Sequence, residues 1–249
     1  TSASGSANNV KQSMGLYAQN GTLTYDSTTG ELKSVGGNTI LAYADTGSII
    51  NYNGGRTLQV GFNSIGVGAK GGTVNANTAT QIAVNGANGI GAYVNGGSIN
   101  SNFDIKVKSA QGRGVYATGN TTSLPKVSEI KGNNSIGYVL ENVTKDITIP
   151  GTITLTEASS TGQFGVVAMG TGKGLTVSGV SVAGGKNIGI SSTTGGAVTN
   201  TGTLSVGNST SSKNSAIGIY SQGGAITSSG AVTVGNNSIG VYGEKTSVT

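Results

Sequence analysis

A short pattern built on Ser-Ile-Gly-Val-Tyr returns along the whole chain at a nearly fixed interval. It is plain at Ser13-Met14-Gly15-Leu16-Tyr17, Ser64-Ile65-Gly66-Val67-Gly68, Ser135-Ile136-Gly137-Tyr138 and Ser238-Ile239-Gly240-Val241-Tyr242. Looser copies surround Gly91, Gly114, Gly165, Gly189 and Gly218, and a tenth, Thr39-Ile40-Leu41-Ala42-Tyr43, has lost its glycine. The central positions are 15, 41, 66, 91, 114, 137, 165, 189, 218 and 240, with steps of 22 to 29 residues. A unit of that size cannot bury its own apolar face and must stack on copies of itself.

Two further elements accompany each copy. An apolar residue sits eight positions after the centre at Leu23, Ile49, Val74, Ile99, Ile226 and Val248, often behind a glycine pair such as Gly71-Gly72. Before the next copy, apolar and polar residues alternate: Leu58-Gln59-Val60, Ile82-Ala83-Val84, Ile105-Lys106-Val107, Ile153-Thr154-Leu155, Leu204-Ser205-Val206 and Val232-Thr233-Val234. Period-two alternation belongs to strands. Each repeat is therefore three short strands separated by Gly/Asn-rich turns. The sequence predicts an all-β, right-handed parallel β-helix (a β-solenoid) of about ten coils of about 25 residues. It is one domain over 1–249, a rod of about 48 Å at ~4.8 Å per coil. No 3.6-residue period supports helical repeats. A propeller needs blades of ~40–45 residues, and a sandwich would not keep one period.

Composition agrees with that reading. Only 9% of the residues are charged, against about 25% in an ordinary soluble domain. With 45 glycines this could mean a disordered linker, but the apolar residues recur in β-branched groups at the repeat period. Cysteine and histidine are absent, which removes disulfides, Cys-ligated metals and His-based triads. No stretch reaches the ~20 apolar residues of a spanning helix, and no signal-peptide pattern opens the chain. The chain begins and ends inside the repeat pattern, as an excised fragment or processed product would. A net charge of +5, spread along a rod, gives no argument for nucleic acid.

Stacking converts repeat positions into columns. Strict alternation turns the Ile and Val of the motif inward and the Gly and Tyr outward. Tyr17, Tyr43, Tyr93, Tyr116, Tyr220 and Tyr242 then form an interrupted outer row. It either covers neighbouring glycines or offers an aromatic platform to sugars or a protein. Asn38, Asn63, Asn88, Asn134 and Asn237 share a corner, where asparagine tolerates the left-handed backbone and its amides can bond between coils. Basic residues thicken at Lys106, Lys108, Arg113, Lys126, Lys131 and Lys145. Lys108 and Lys131 share a phase and should stack; Glu129 has the phase of Lys106. This is either a solvated face or a patch for an acidic or sialylated partner. The candidate binding residues are Lys106, Lys108, Arg113, Lys126 and Lys131 with Tyr93 and Tyr116. Irregular stretches near 118–165, with Leu124-Pro125 and Asn142–Asp146, and at 207–215 are expected to project as loops.

Parallel β-helices include polysaccharide-degrading enzymes, so the phases of the nine acids matter. Asp45, Glu141 and Glu244 share a turn position but lie in coils two, six and ten. No pair has the phase and adjacency for the ~5–9.5 Å carboxyl separation of a glycosidase. The chain is expected to be no enzyme and to carry no cofactor or metal. The Gly-x-Gly spacings lie in turns with no following helix. Thr152-Ile153-Thr154-Leu155-Thr156 is only a local echo of an ice-binding array.

The run Gly235-Asn236-Asn237-Ser238-Ile239-Gly240-Val241-Tyr242-Gly243, with its copies, resembles the passenger repeats of large type V autotransporter adhesins. It is closest to the RadD-like fusobacterial outer-membrane autotransporters. The resemblance spans the chain but is a scaffold signature and carries over no binding residue. It implies a passenger on the surface of a Gram-negative bacterium, anchored by a carboxy-terminal β-barrel absent here. It also implies attachment to host receptors, glycans or partner bacteria. A stalk that only spaces a distal domain is the alternative.

Overall fold

The computed structural model describes residues 3–4, 13–27, 29, 31–157, 162–170 and 172–249. They form a right-handed parallel β-helix of about nine turns. The longest sheet has ten strands: Ser13–Ala18, Thr39–Ala44, Ile65–Lys70, Ile90–Asn95, Arg113–Gly119, Ile136–Val143, Phe164–Met169, Ile188–Ser192, Ile217–Gln222 and Ile239–Glu244. The alternating segments make an eight-stranded second sheet, from Leu58–Val60 to Val232–Val234. A third face is split into two four-stranded sheets, Thr22–Tyr25 to Ser98–Ile99 and Ile147–Thr148 to Ile226–Ser228. Each strand pairs in parallel with its counterpart one coil along, as Leu58 with Ile82 and Val60 with Val84.

The second sheet follows the alternation read from the sequence. Leu58, Val60, Ile82, Val84, Ile105 and Val107 are buried while Gln59 and Lys106 turn out. Each such side chain contributes roughly 1.5–3 kcal/mol by leaving water.

The long sheet departs from strict alternation. The pairing passes from Ile90↔Arg113 to Ala92↔Val115 and skips the central glycines. There the strand kinks, so glycine and the residue after it both face the core. A Cβ on Gly66 would lie 3.0 Å from Val60 Cγ2 and from Ile82 Cγ2, and 2.5 Å from the Gly91 carbonyl oxygen. Glycine thus makes room for the second sheet's aliphatic side chains. The preceding isoleucine is turned outward beside the tyrosine. The expectation of Ile inside and Gly outside is overturned by that kink. On the third face Val74, Ile99 and Ile226 are buried as expected, and only the second coil is offset, by one residue. Ile49 is 38% exposed and the buried residue is Ile50, in register with Leu23 and Val74.

The asparagine column does hold left-handed corners, with φ of 52° at Asn38, 48° at Asn63, 57° at Asn88 and 55° at Asn134 and Asn237. Coil-to-coil amide bonds form in other columns: Asn75 Nδ2 to Asn51 Oδ1, Asn77 to Asn53, and Asn85 to Gln59 Oε1. Within the corner column, Asn237 Nδ2 donates to the Ser209 carbonyl at 3.3 Å.

The third face breaks at Leu124-Pro125. Proline has no N–H for a ladder, and the isolated bridge Ser98↔Ser123 is what remains there. Tyr138 fills the space as a fully buried ring. Its hydroxyl accepts from Val127 N at 2.8 Å and donates to Pro125 O at 3.1 Å. Within 118–165 the chain otherwise keeps to the coil at 126–130, 136–143, 147–148 and 153–155. Residues 158–161 lie outside the described ones. In 207–215 one 3₁₀ turn, Ser212–Asn214, leaves Ser212 and Lys213 exposed.

Candidate binding surface

The outer face of the long sheet carries two parallel columns. One is aromatic. Tyr17 and Tyr43 stack at 6.2 Å, Tyr93 and Tyr116 at 5.8 Å, and Tyr220 and Tyr242 at 5.7 Å, with interplanar angles of 24°, 15° and 14°. The row is interrupted at Gly68, and Tyr43 leans over the gap: a Cβ there would lie 2.5 Å from Tyr43 Cδ2. Covering a bare glycine with a ring is a structural use of tyrosine.

Each stacked pair is also tied to a carboxylate. Tyr17 donates to Asp45 at 3.5 Å, Tyr116 to Glu141, and Tyr220 to Glu244 at 3.1 Å. The three acids that share a turn position are thus partners of the tyrosine row. In the sequence the two columns are two separate phases of the repeat, and their pairing shows only once the coils are stacked. The bond to Glu141, followed by burial, pushes the Tyr116 hydroxyl up to about 12. The bond to Glu244 raises that of Tyr220.

The second column is the one sequence reasoning placed inside. It runs through Met14, Ile40, Ile65, Ile90, Arg113, Ile136, Phe164, Ile188, Ile217 and Ile239. Ile40 is buried, but most of the others are partly open to solvent. Between the two columns lies a groove of about 400 Å³ lined by Ile65, Ile90, Tyr93, Arg113, Tyr116 and Thr118.

The seven candidate residues therefore divide between faces. Arg113, Tyr93 and Tyr116 meet in this groove. Lys106 and Lys126 lie on the second sheet, with Lys108 and Lys131 at its end. The lysines are interleaved with acids: Lys106 is registered against Glu129 and Lys126 against Asp104. Lys131 Nζ sits 2.7 Å from Glu129 Oε1. That bond, aided by Lys106 and Lys108, holds the Glu129 carboxyl below its ordinary range despite opposing burial. Lys108 and Lys131 follow the registered pair Val107 and Ile130, so they occupy adjacent coils.

A second cleft, of about 350 Å³, opens at the break in the third face among Ser101, Thr122, Ser123, Leu124, Asp146, Ile147, Thr148 and Pro150. The Asp146 carboxylate is engaged there, accepting from Gly174 N at 2.7 Å. Among the described residues no three acidic side chains converge as a metal site. No helix among them is long and apolar enough to cross a membrane.

Fold and surface together define a β-solenoid repeat protein with apolar and aromatic columns on one solvent-facing sheet. No protein-family model matches the chain, and no curated protein or solved structure matches it either.

Proposed function

We propose that this chain is part of a cell-surface adhesin, a passenger segment that attaches a Gram-negative bacterium to host cells or partner bacteria through a protein or glycan receptor. In this reading the membrane is reached through a carboxy-terminal β-barrel outside this sequence, and nucleic acid plays no part. The observation that carries the proposal is the outer face of the long sheet. Soluble proteins rarely leave long contiguous apolar patches uncovered unless something binds there. Here aliphatic and aromatic columns run side by side along the rod. Exposed Tyr and an Arg are the residue types favoured at the centre of contact surfaces.

The chain is proposed to act by binding and to need no cofactor. Asp45, Glu141 and Glu244 accept tyrosine hydroxyls on separate coils, an arrangement that suits holding the surface together. The same bonds favour a second reading, a stalk whose tyrosines only stabilise the rod. The test is binding of the purified protein to epithelial cells, immune cells and neighbouring bacteria, with and without competing sugars. Saturable binding that weakens in a Tyr93→Ala/Tyr116→Ala variant supports the adhesin. Absence of binding by a folded sample favours the stalk.

A further inference from the structure

Arg113 is the one charged residue in the outer aliphatic column. Its registered neighbours are Ile90 on one coil and Ile136 on the next. The side chain is half-buried, and Arg113 forms no ion pair among the described residues. Glu141 lies nearby, registered against Thr118, but it takes the Tyr116 hydroxyl. On this solvent-facing sheet the Arg113 stem can lie along the isoleucines while its guanidinium keeps its donors free for an incoming acidic group. In a scaffold where isoleucine fills the same position on most coils, Arg113 sets this coil apart.

The surroundings of Arg113 specify what would complete it. A guanidinium presents a planar fork that fits a carboxylate with two parallel bonds. Ile65 and Ile90 supply an apolar wall to one side. Thr118 lines the other side. The Tyr93 hydroxyl accepts from Asn95 Nδ2 at 3.3 Å, which leaves its own proton to donate. The space of about 400 Å³ falls within the range of small-molecule sites, ~300–1,000 Å³. A pyranose has an apolar ring face and a rim of hydroxyls, and matches wall and donors together. We propose that this groove binds a carboxylate-bearing sugar, a uronic or sialic acid unit, with Arg113 on the carboxylate and Ile65, Ile90, Tyr93 and Thr118 around the ring. The proposal deepens the adhesin reading and rests on it for its biological setting.

The experiment is titration of the full chain with glucuronate and N-acetylneuraminate, followed by calorimetry and by ligand-observed NMR. Glucose and the methyl ester of N-acetylneuraminic acid serve as uncharged counterparts, acetate as a bare carboxylate, and a short aspartate peptide as the protein-like anion. One or both acidic sugars should bind, and which one binds identifies the unit. The neutral counterparts should bind at least about tenfold more weakly, the order expected for losing a charge-assisted pair. Arg113→Ile restores the residue usual in this column, so it should fold, melt no lower than the parent and lose the sugar. Arg113→Lys should retain only part of the affinity. Equal binding by Arg113→Ile, equal binding of the neutral sugars, or no acidic-sugar binding would overturn the proposal. Acetate or the aspartate peptide binding as tightly as the sugars would also overturn it. Cell attachment is read separately, so attachment that survives Arg113→Ile leaves the adhesin reading standing while removing this site from it.

Discussion

The central glycine decides what each coil shows to solvent. A Cβ at Gly91 would come within 2.6 Å of Ile105 Cγ2 and 2.7 Å of the Gly114 carbonyl oxygen. The second atom belongs to the backbone of the next coil and cannot step aside. Gly91→Ala should therefore cost about 1–3 kcal/mol, the usual range for overpacking. Gly21 is the control, since nothing lies within 4 Å of its added Cβ. Gly21→Ala should leave stability unchanged or raise it by about 0.4–1 kcal/mol through the unfolded chain. Thermal melts of the two variants decide the matter, and equal melting temperatures would refute the inward-facing glycine. At this scale the sequence was half legible. The left-handed asparagine corners could be read, because residue type and turn position pointed the same way. The facing of Ile65 and Ile90 could not, because alternation assumes an unbroken strand and the kink at glycine moves the phase by one. In the sequence Arg113 belongs to a basic cluster, whereas its place among outer isoleucines follows from that same kink.

Among the elements, the coil around Pro125 tests how the solenoid tolerates a defect. The repeat pattern located the irregular stretch, since the glycine pair is missing there. The remedy was hidden, because Tyr138 sits eleven residues from Val127 in sequence and acts across the interior. Its hydroxyl satisfies both Val127 N and Pro125 O, at 2.8 Å and 3.1 Å. Tyr138→Phe keeps the ring and orphans both groups, which costs roughly 1–3 kcal/mol for buried partners. The melting temperature should fall, and the Val127 amide should exchange faster than those of Ile105 and Val107. Tyr17→Phe, which loses only an exposed bond at 3.5 Å, should change little. If both variants melt alike, Tyr138 does not brace the break.

Across the whole molecule, charge is too sparse to govern how stability varies with pH, and the tyrosines take that role. Burial pushes the Tyr52 hydroxyl up to about 12, with Tyr25 adding to it. The Glu141 bond does the same for Tyr116, also to about 12. Burial likewise raises Tyr43 and Tyr138. In each case the fold favours the protonated hydroxyl. That stability is fully present below the ordinary tyrosine value of about 10 and is lost as pH rises through the raised folded values. On the acid side, Glu129 is held low by Lys131, so its contribution is present above the ordinary carboxylate range and lost as pH falls through the lowered value. Lys131 lies open to solvent, which screens the pair and keeps its contribution small. The melting temperature should therefore stay nearly level from mildly acid to neutral pH and fall steeply above about pH 10. Tyrosinate absorbance should rise together with loss of the β-sheet circular dichroism signal. Added salt should move the neutral-pH melting temperature little, because the pairs it screens are few and exposed. A drop in acid as large as the alkaline one, or a strong salt dependence, would mean that ion pairs and not the tyrosine hydroxyls set the pH dependence.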